Sequence, residues 1–497
     1  MNLVIFLAIY VILSSVAVAG GPVNGRNQSG GNIAAEYEVS INETRPRTLF
    51  VRARTLVTNG RLFMSQIGVD HLPEGWATFV SDLQASDEKG DKLNFEKGEG
   101  ANWRVAQGYN GMVNLTYKVD LRFIYEDWVS GNEQAGAHFD DSIFLVTRPI
   151  FISSEYNGNI RVNFKLPSNW KASTPWKPDQ DARAFIAENQ LDLLSNTVIL
   201  GNHKEVRLRE GTLTFILALP GKMKETSPII EATLKPVLRA YLRLFRGTPP
   251  SIFLMTFFHA NAEDGEAYSR SSAFTTSDEV SKASLIIWGN FLAHELFHFW
   301  NGQQMRGNER DNRQWFSEGF TEYYANLTLV REGLIGEDLF IKKIEKHLAM
   351  YLFFRSAPAF NGVSLVKAGE RKGFNRPAVY NGGWTVAFCL DQIIREKTSG
   401  RKSLDDFMTT MYRKFGAKPY RYDDIVETAG ETAGTDLTEF FAEFVAGTHT
   451  MPVKEHLKKY GLNAYFKGYA GEFYIVRDSA SPGKASEMYK EWISRKP

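Results

Sequence analysis

Residues 284–302 read SLIIWGNFLAHELFHFWNG, and this stretch decides how the second half of the chain is interpreted. Apolar residues lie on every side of a helix drawn through it, which predicts a buried helix. His294 and His298 are four residues apart and share one face of that helix, with Glu295 beside them. Such a pair of imidazoles binds one Zn²⁺, which in catalytic sites takes three protein ligands and leaves a position for water. The alternative is a buried helix with two structural histidines.

A second helical pattern, residues 313–330 (RQWFSEGFTEYYANLTLV), offers the third ligand. Glu318 comes 20 positions after His298, which is enough for a turn and an antiparallel helix that return its carboxylate to the same cation. Glu322 shares that face, and a metal-bound imidazole usually donates its other N–H to a nearby carboxylate. We therefore predict Glu318 as a ligand and Glu322 as the partner of one histidine. Glu309 is a rival third ligand, and a solvated helix glutamate is the alternative for Glu322.

A tyrosine opens a third helical pattern, residues 376–400 (RPAVYNGGWTVAFCLDQIIREKTSG). Tyr380 follows a proline and precedes two glycines. A phenol in that place can donate a hydrogen bond to the oxyanion of a tetrahedral intermediate. On spacing alone, a tyrosine packed in the core is the better interpretation.

The N-terminal third of the chain has the period of β-strands. Residues 112–123 (MVNLTYKVDLRF) and 159–167 (NIRVNFKLP) carry apolar side chains at every second position, which is typical of strands with one buried face. Turn-rich stretches such as SDEKGDK separate the strands. The pattern predicts an all-β domain, sandwich-like, over residues 20–175.

The pattern changes beyond residue 176. Residues 212–221 (TLTFILALPG) and 250–260 (PSIFLMTFFHA) predict buried strands on either side of a helix over residues 227–245. Beyond residue 284 the chain is mostly helical. Ser403, with an acid three residues later, marks the start of one helix, and Gly416 marks its end.

Charge and the N-terminus bear on the compartment and partners. Lys and Arg number 58 against 57 Asp and Glu, so bulk charge gives no reason to bind nucleic acid or an anionic membrane. Residues 1–19 are nearly all apolar and end in Ala-Val-Ala, which predicts an export signal cut after Ala19 and a periplasmic or secreted protein. The alternative is an uncleaved membrane anchor. Cys389 is the only cysteine, so no intrachain disulfide forms.

Four segments in order resemble the glycyl aminopeptidase family of gluzincin zinc metallopeptidases. They are HELFHFWN, WFSEGFTEYY, VYNGGWTVAFCLDQIIREKTSGRKSLDDFM and FVAGTHTMPVKEHLKKYGL, and the similarity covers about residues 190–462. The resemblance implies an α+β multidomain protein, in which an all-β sandwich-like domain precedes a thermolysin-like catalytic domain with a mostly helical C-terminal half. The predicted parts are a signal peptide (1–19), the β domain (20–175), the catalytic domain with the zinc site (176–335), its helical C-terminal part (336–462) and a tail (463–497).

The resemblance also implies roles for single residues. His294, His298 and Glu318 resemble the zinc ligands, with one Zn²⁺ per chain, and Glu295 resembles the general base. Tyr380 matches the tyrosine of the family's Y-x-K-G segment, which stabilises the transition state. That segment reads YNGG here, so a glycine replaces its lysine.

Two features depart from the family. The edge-strand segment that meets the substrate's α-amino group reads AEDGEAYSRSSAF here, and Ala267 stands where the acid is expected. Glu266 or Glu263 would then have to replace it. The family commonly carries a C-terminal PDZ domain, and the 35 residues after Leu462 are too few for one.

Together these features predict a zinc-dependent, aminopeptidase-like metallopeptidase that acts on peptides or proteins. The alternatives are a zinc endopeptidase and a non-catalytic homologue that binds zinc or peptides. We also expect four tryptophans near the motifs to wall the cleft; they are Trp288, Trp300, Trp315 and Trp384.

Overall fold

The computed structural model describes residues 33–106, 108–156, 158–181, 183–246, 251–308, 310–467, 472–478 and 483–495. The expected signal peptide and Glu309 lie outside these ranges. The chain forms two compact units: Met1–Ser227 with Pro250–Asp278, and Pro228–Pro249 with Glu279–Pro497. The domain boundaries drawn from the sequence stay a prediction.

The first unit contains twenty described strands. They are β1 Ile33–Ser40, β2 Thr48–Val57, β3 Arg61–Phe63, β4 Val80–Ser86, β5 Lys92–Leu93, β6 Glu96–Lys97, β7 Asn102–Arg104, β8 Gly111–Asp120, β9 Gly136–Phe139, β10 Ser142–Val146, β11 Asn159–Lys165, β12 Lys171–Ser173, β13 Lys177–Pro178, β14 Ala184–Ala187, β15 Thr197–Gly201, β16 Lys204–Glu210, β17 Leu213–Leu219, β18 Ser251–His259, β19 Asp264–Ala267 and β20 Ser271–Thr276.

Two of the sheets share one apolar core. Eight strands in the order β13-β14-β11-β1-β2-β8-β4-β5 form the larger sheet, and β12-β15-β10-β9 form the smaller. Along β8, alternate side chains are buried, and Val51 of β2 pairs with Tyr117 of β8 in register. Leu145 and Leu200 of the smaller sheet belong to the same buried cluster. Period-two alternation thus gives each strand one apolar face, which packs as the sequence predicted.

A third large sheet has the order β16-β17-β18-β20-β19. Its central strands β17, β18 and β20 run parallel, and they are almost wholly buried, as expected for parallel strands covered on both faces. The short strand β19 lies antiparallel to β20 at the edge of the sheet.

The α-helices are distributed unevenly along the chain. They are α1 Gln190–Leu194, α2 Ser227–Phe245, α3 Leu285–His298, α4 Arg310–Arg331, α5 Glu337–Ser356, α6 Leu365–Ala368, α7 Gly383–Lys397, α8 Leu404–Phe415, α9 Tyr422–Ala433, α10 Thr438–Phe441, α11 Val453–Lys459 and α12 Gly483–Ser494. The second unit is therefore mainly helical; it also holds the hairpin of β21 Leu462–Lys467 and β22 Glu472–Arg477. In the described part of the chain, no helix is both long and apolar enough to cross a bilayer.

Local sequence signals fix the limits of α8. The Ser403 hydroxyl caps its first turn and the Asp406 carboxylate accepts from the Ser403 backbone N–H, which completes a capping box. Gly416 lies at the C-terminal cap. Both ends confirm the sequence prediction.

Two glycines let α4 and α7 approach at backbone distance. A Cβ added to Gly319 would lie 2.3 Å from the Cα of Gly383, and one added to Gly383 would lie 1.9 Å from the backbone oxygen of Trp315. A side chain at either position would push the helices apart. The two glycines therefore set the distance between Glu318 on α4 and the segment that leads into α7.

We expect the substitution Gly383→Ala to destabilise the fold, because the methyl group has no space beside Trp315. Overpacking of this kind typically costs about 1–3 kcal/mol of the free energy of unfolding. Urea unfolding of the full chain measures the loss. The matched control is Gly483→Ala, where an added Cβ meets nothing within 4 Å. Equal midpoints for the two variants would contradict the close crossing.

Candidate metal centre

Two helices bring three possible metal ligands to one point. His294 and His298 lie one turn apart at the C-terminal end of α3, and Glu318 lies on α4. The two Nε2 atoms are 3.1 Å apart, and Glu318 Oε2 is 3.3 Å from the first and 3.4 Å from the second. Among the described residues, this trio is the one group of His, Cys, Asp and Glu with ligand atoms close enough to hold a metal ion.

The hydrogen bonds on the far side of each ring fix which nitrogen faces that point. Nδ1 of His294 lies 2.9 Å from Glu322 Oε2, and Nδ1 of His298 lies 3.0 Å from the backbone oxygen of Asn301. Both partners are acceptors, so each Nδ1 carries a proton and donates it. In the neutral rings, each Nε2 therefore presents a lone pair.

Two imidazole lone pairs and a carboxylate oxygen at 3.1–3.4 Å from one another repel unless a cation lies between them. A proton is one such cation: burial lowers the pKa of His294, but the hydrogen bonds to Glu318 and Glu322 raise it to about 10. A divalent metal ion is the other. Two imidazoles and one carboxylate are a donor set that suits Zn²⁺. The residues present therefore fit a zinc ion.

Glu295 follows His294 on α3, and its side chain lies near the three possible metal ligands. Glu295 is 9% exposed, and no side chain or backbone group in the described part of the chain forms a hydrogen bond with its carboxylate. Burial raises its pKa, and the nearby His298 and His294 offset part of that effect. A carboxylate with a raised pKa and free lone pairs has the properties of a general base.

Glu322 is held by a buried network of polar side chains. Besides His294, its carboxylate accepts from Asn290 Nδ2 at 3.2 Å and Asn326 Nδ2 at 3.1 Å, and His347 Nε2 lies 3.3 Å away. Burial raises the pKa of Glu322, yet the hydrogen bonds from His294 and His347 hold it well below its usual range. The carboxylate is thus charged, and it orients the His294 ring.

The turn after α3 is tied to α4 through one side chain. Asn301 Nδ2 donates to Thr321 Oγ1 at 3.2 Å and to the backbone oxygen of Ser317 at 3.3 Å. The backbone oxygen of the same residue accepts from His298. The asparagine that ends the HELFHFWN stretch therefore links the second histidine to the helix that carries Glu318.

Tyr380 and Lys372 lie next to the trio, the first near His294 and the second near Glu318. Tyr380 lies in a π-helical turn, Pro377–Gly382, that leads into α7, and its ring centroid is 6.0 Å from that of His294. Lys372 Nζ donates to Glu318 Oε1 at 2.7 Å and lies 5.4 Å from the Tyr380 ring centroid. Burial and Glu318 raise the pKa of Tyr380 to about 12, so the phenol keeps its proton. The phenol is thus a hydrogen-bond donor.

The structure brings together six of the residues singled out from the sequence: His294, His298, Glu318, Glu295, Glu322 and Tyr380. Sequence reasoning missed both Lys372 and His347, because neither has a signal in its spacing. His347 is 4% exposed and lies against Glu322, so it has a structural role. The expectation that four tryptophans wall a cleft is wrong, because none is more than 1% exposed; they are Trp288, Trp300, Trp315 and Trp384.

The acids named for the edge strand lie in the first unit. Ala267 and Glu266 are on β19 and pair with Ser272 and Ala273 of β20. The Glu263 carboxylate, just before that strand, accepts from the backbone N–H and the hydroxyl of Ser277, at 3.2 and 2.7 Å.

Two family models match the chain. The M61 glycyl aminopeptidase model matches residues 288–360, and the peptidase M61 N-terminal domain model matches residues 36–202. The first match contains the trio, Glu295 and Glu322; Tyr380 lies beyond it. The resemblance drawn from the four sequence segments is thereby confirmed. No curated protein matches the chain.

Solved structures share the fold. An aminopeptidase N family protein from Idiomarina loihiensis is 17% identical, with 87% of this chain and 79% of that chain covered and a TM-score of 0.72. An M1 zinc metallopeptidase from Deinococcus radiodurans is 14% identical (84% and 94% covered, TM-score 0.54), and its mutant bound to a Tyr-Ser-Ala substrate is 14% identical (86% and 96%, TM-score 0.53). These likenesses confirm the predicted class, a β-rich N-terminal part followed by a mainly helical C-terminal half.

We expect Glu322→Gln to weaken zinc binding by about 10–100-fold, the usual effect of losing the carboxylate that orients a ligand histidine. Competition with a chromophoric chelator measures the zinc affinity. Glu337→Gln, at an exposed glutamate that begins α5, is the control. If both variants bind zinc as tightly as the parent, Glu322 does not support the metal centre.

Proposed function

From the premise that this chain resembles the M61 glycyl aminopeptidases, we propose that it is a zinc-dependent metallopeptidase with one Zn²⁺ per chain and peptides or proteins as substrates. One observation carries the proposal. Two imidazole nitrogens in the lone-pair tautomer and a carboxylate oxygen converge within 3.1–3.4 Å, next to the uncommitted carboxylate of Glu295. That combination supplies both a metal site and a base.

The proposed zinc ligands are His294, His298 and Glu318. When bound in such a site, Zn²⁺ polarises the scissile carbonyl and lowers the pKa of water toward about 7. Glu295 accepts the proton of the attacking water and passes it to the leaving amine. The Tyr380 hydroxyl, protonated because its pKa is about 12, donates a hydrogen bond to the oxyanion.

We propose an aminopeptidase-like specificity, with endopeptidase activity as the alternative. An enzyme that requires a free α-amino group must pair it with a carboxylate, because an unpaired buried ammonium is costly. With Ala267 at the position of the usual acid, Glu266 and Glu263 are the candidates in this chain.

A non-catalytic zinc- or peptide-binding protein is the candidate from a different class. The replaced edge-strand acid supports it, while the free carboxylate of Glu295 supports an enzyme. Incubation with a mixed peptide library, with and without a chelator, separates the two. Cleavage that the chelator abolishes supports the peptidase.

We further propose that the chain is exported after cleavage near Ala19, with an uncleaved N-terminal anchor as the alternative. The apolar run of residues 1–19 and its small-residue end support this. The near-zero balance of charge supports peptides rather than nucleic acid as partners. A stable membrane partner is expected only if the signal is retained.

We expect Glu295→Gln to retain zinc and the fold but to lose at least about 100-fold in kcat, because the amide cannot accept the proton of water. Peptide cleavage, metal content and thermal unfolding are measured on the same preparation. Glu337→Gln again serves as the control for losing an exposed carboxylate. Cleavage by Glu295→Gln at the parent rate would refute the assigned base.

Free and N-acetylated forms of one peptide distinguish the two peptidase classes. We expect the free form to be cleaved at least about tenfold faster, since acetylation removes the charge that a carboxylate would bind. Glu266→Gln and Glu263→Gln are assayed in parallel, and the variant that loses the preference identifies the acid. Equal rates on both peptides would favour an endopeptidase.

A further inference from the structure

We propose that Lys372 is a positioning residue that joins the third metal ligand to the oxyanion donor. The proposal rests on the proposed function and deepens it. The ammonium group of Lys372 donates to Glu318 and lies beside the Tyr380 ring, so it sets which carboxylate oxygen faces the metal and where the phenol points. Neither the sequence motifs nor the family resemblance assigns this lysine a role.

The first observation is that the two carboxylate oxygens of Glu318 have different partners. Oε1 accepts from Lys372 Nζ at 2.7 Å, while Oε2 faces the Nε2 atoms of His294 and His298 at 3.3 and 3.4 Å. With Oε1 engaged by the ammonium, one oxygen remains for the cation. A carboxylate that binds through one oxygen leaves a position open, whereas binding through both would fill it.

The second observation is the contact with the phenol. Lys372 Nζ lies 5.4 Å from the centroid of the Tyr380 ring. Arg376 covers the same ring at 4.9 Å. The Lys372 side chain is 34% exposed and Glu318 is 11% exposed, so the ion pair lies in a partly desolvated place. An ion pair in such a partly desolvated place holds the ammonium of Lys372 more firmly than an ion pair on an open surface would.

The geometry assigns a single ammonium two constraints. It holds the Glu318 carboxylate in the orientation that offers Oε2, and its charge attracts the Tyr380 ring to the same side as that carboxylate. Removing the charge frees both groups. The expected consequence is a fall in kcat with little change in KM, because a group that acts only in the transition state contributes little to substrate affinity.

The experiment compares Lys372→Met with Lys367→Met. Both variants remove an ammonium and keep an apolar stem, but Lys367 is exposed on α6. For Lys372→Met we expect kcat to fall about 10–100-fold with KM within about threefold, and zinc affinity to fall about tenfold or more. The visible spectrum of the Co²⁺-substituted protein, which reports coordination geometry, should also change. Lys367→Met should match the parent in all of these.

A double-variant cycle tests the link to the phenol. If Lys372 acts through Tyr380, the variant with both Lys372→Met and Tyr380→Phe loses less kcat than the product of the two single losses. Losses that multiply would show that the lysine does not act through the phenol. A change of stability alone does not produce this coupling, so thermal unfolding of each variant is recorded beside it.

Several outcomes overturn the proposal. Parent-like kcat, zinc affinity and Co²⁺ spectrum in Lys372→Met would do so, as would multiplying losses. If Lys372→Met does not fold, Lys372→Gln takes its place under the same criteria. If the parent cleaves no peptide, the proposed function fails, while zinc affinity and the Co²⁺ spectrum still decide whether Lys372 orients Glu318.

Discussion

Three electron-pair donors directed at one point are the constraint on which the second unit depends. A cation between His294 Nε2, His298 Nε2 and Glu318 Oε2, either a proton or a metal ion, relieves the repulsion among these three atoms. The surrounding polar groups all act to keep the donors in place: Glu322 and the Asn301 backbone accept the outward ring protons, and Lys372 holds the unused oxygen of Glu318. These neighbours therefore hold the three donors in one arrangement.

Helix α4 is the element through which the site is connected to the rest of its unit. Its Glu318 and Glu322 face α3, while Tyr323 on the same helix donates to Asp391 of α7 at 2.9 Å and accepts from Trp492 of α12 at 2.7 Å. Arg331, at the end of α4, donates to the backbone oxygen of Trp492 at 3.0 Å. Helix α12 thus stabilises α4, the helix that carries Glu318 and Glu322.

The sequence predicted the parts of the site that follow from a helical period. His294, His298, Glu318 and Glu322 are related by steps of four within two helices, so their common faces could be drawn without coordinates. Lys372 could not be found in this way, because it lies 54 residues from Glu318 and reaches it only through the fold. His347 could not be found either, because it also reaches Glu322 only through the fold. Alternation also predicted the β-rich first unit, but not the order of its sheets, which depends on long-range pairing.

The close crossing of α4 and α7 restricts how these two helices can move relative to each other. At Gly319 and Gly383 the two helices touch through their main chains, with no intervening side chain that could change rotamer. The backbones at this crossing thereby limit how close the segment that carries Tyr380 can come to the helix that carries Glu318. A shift of α7 toward α4 therefore meets the main chain that carries Glu318 directly, with no side chain between them to adjust.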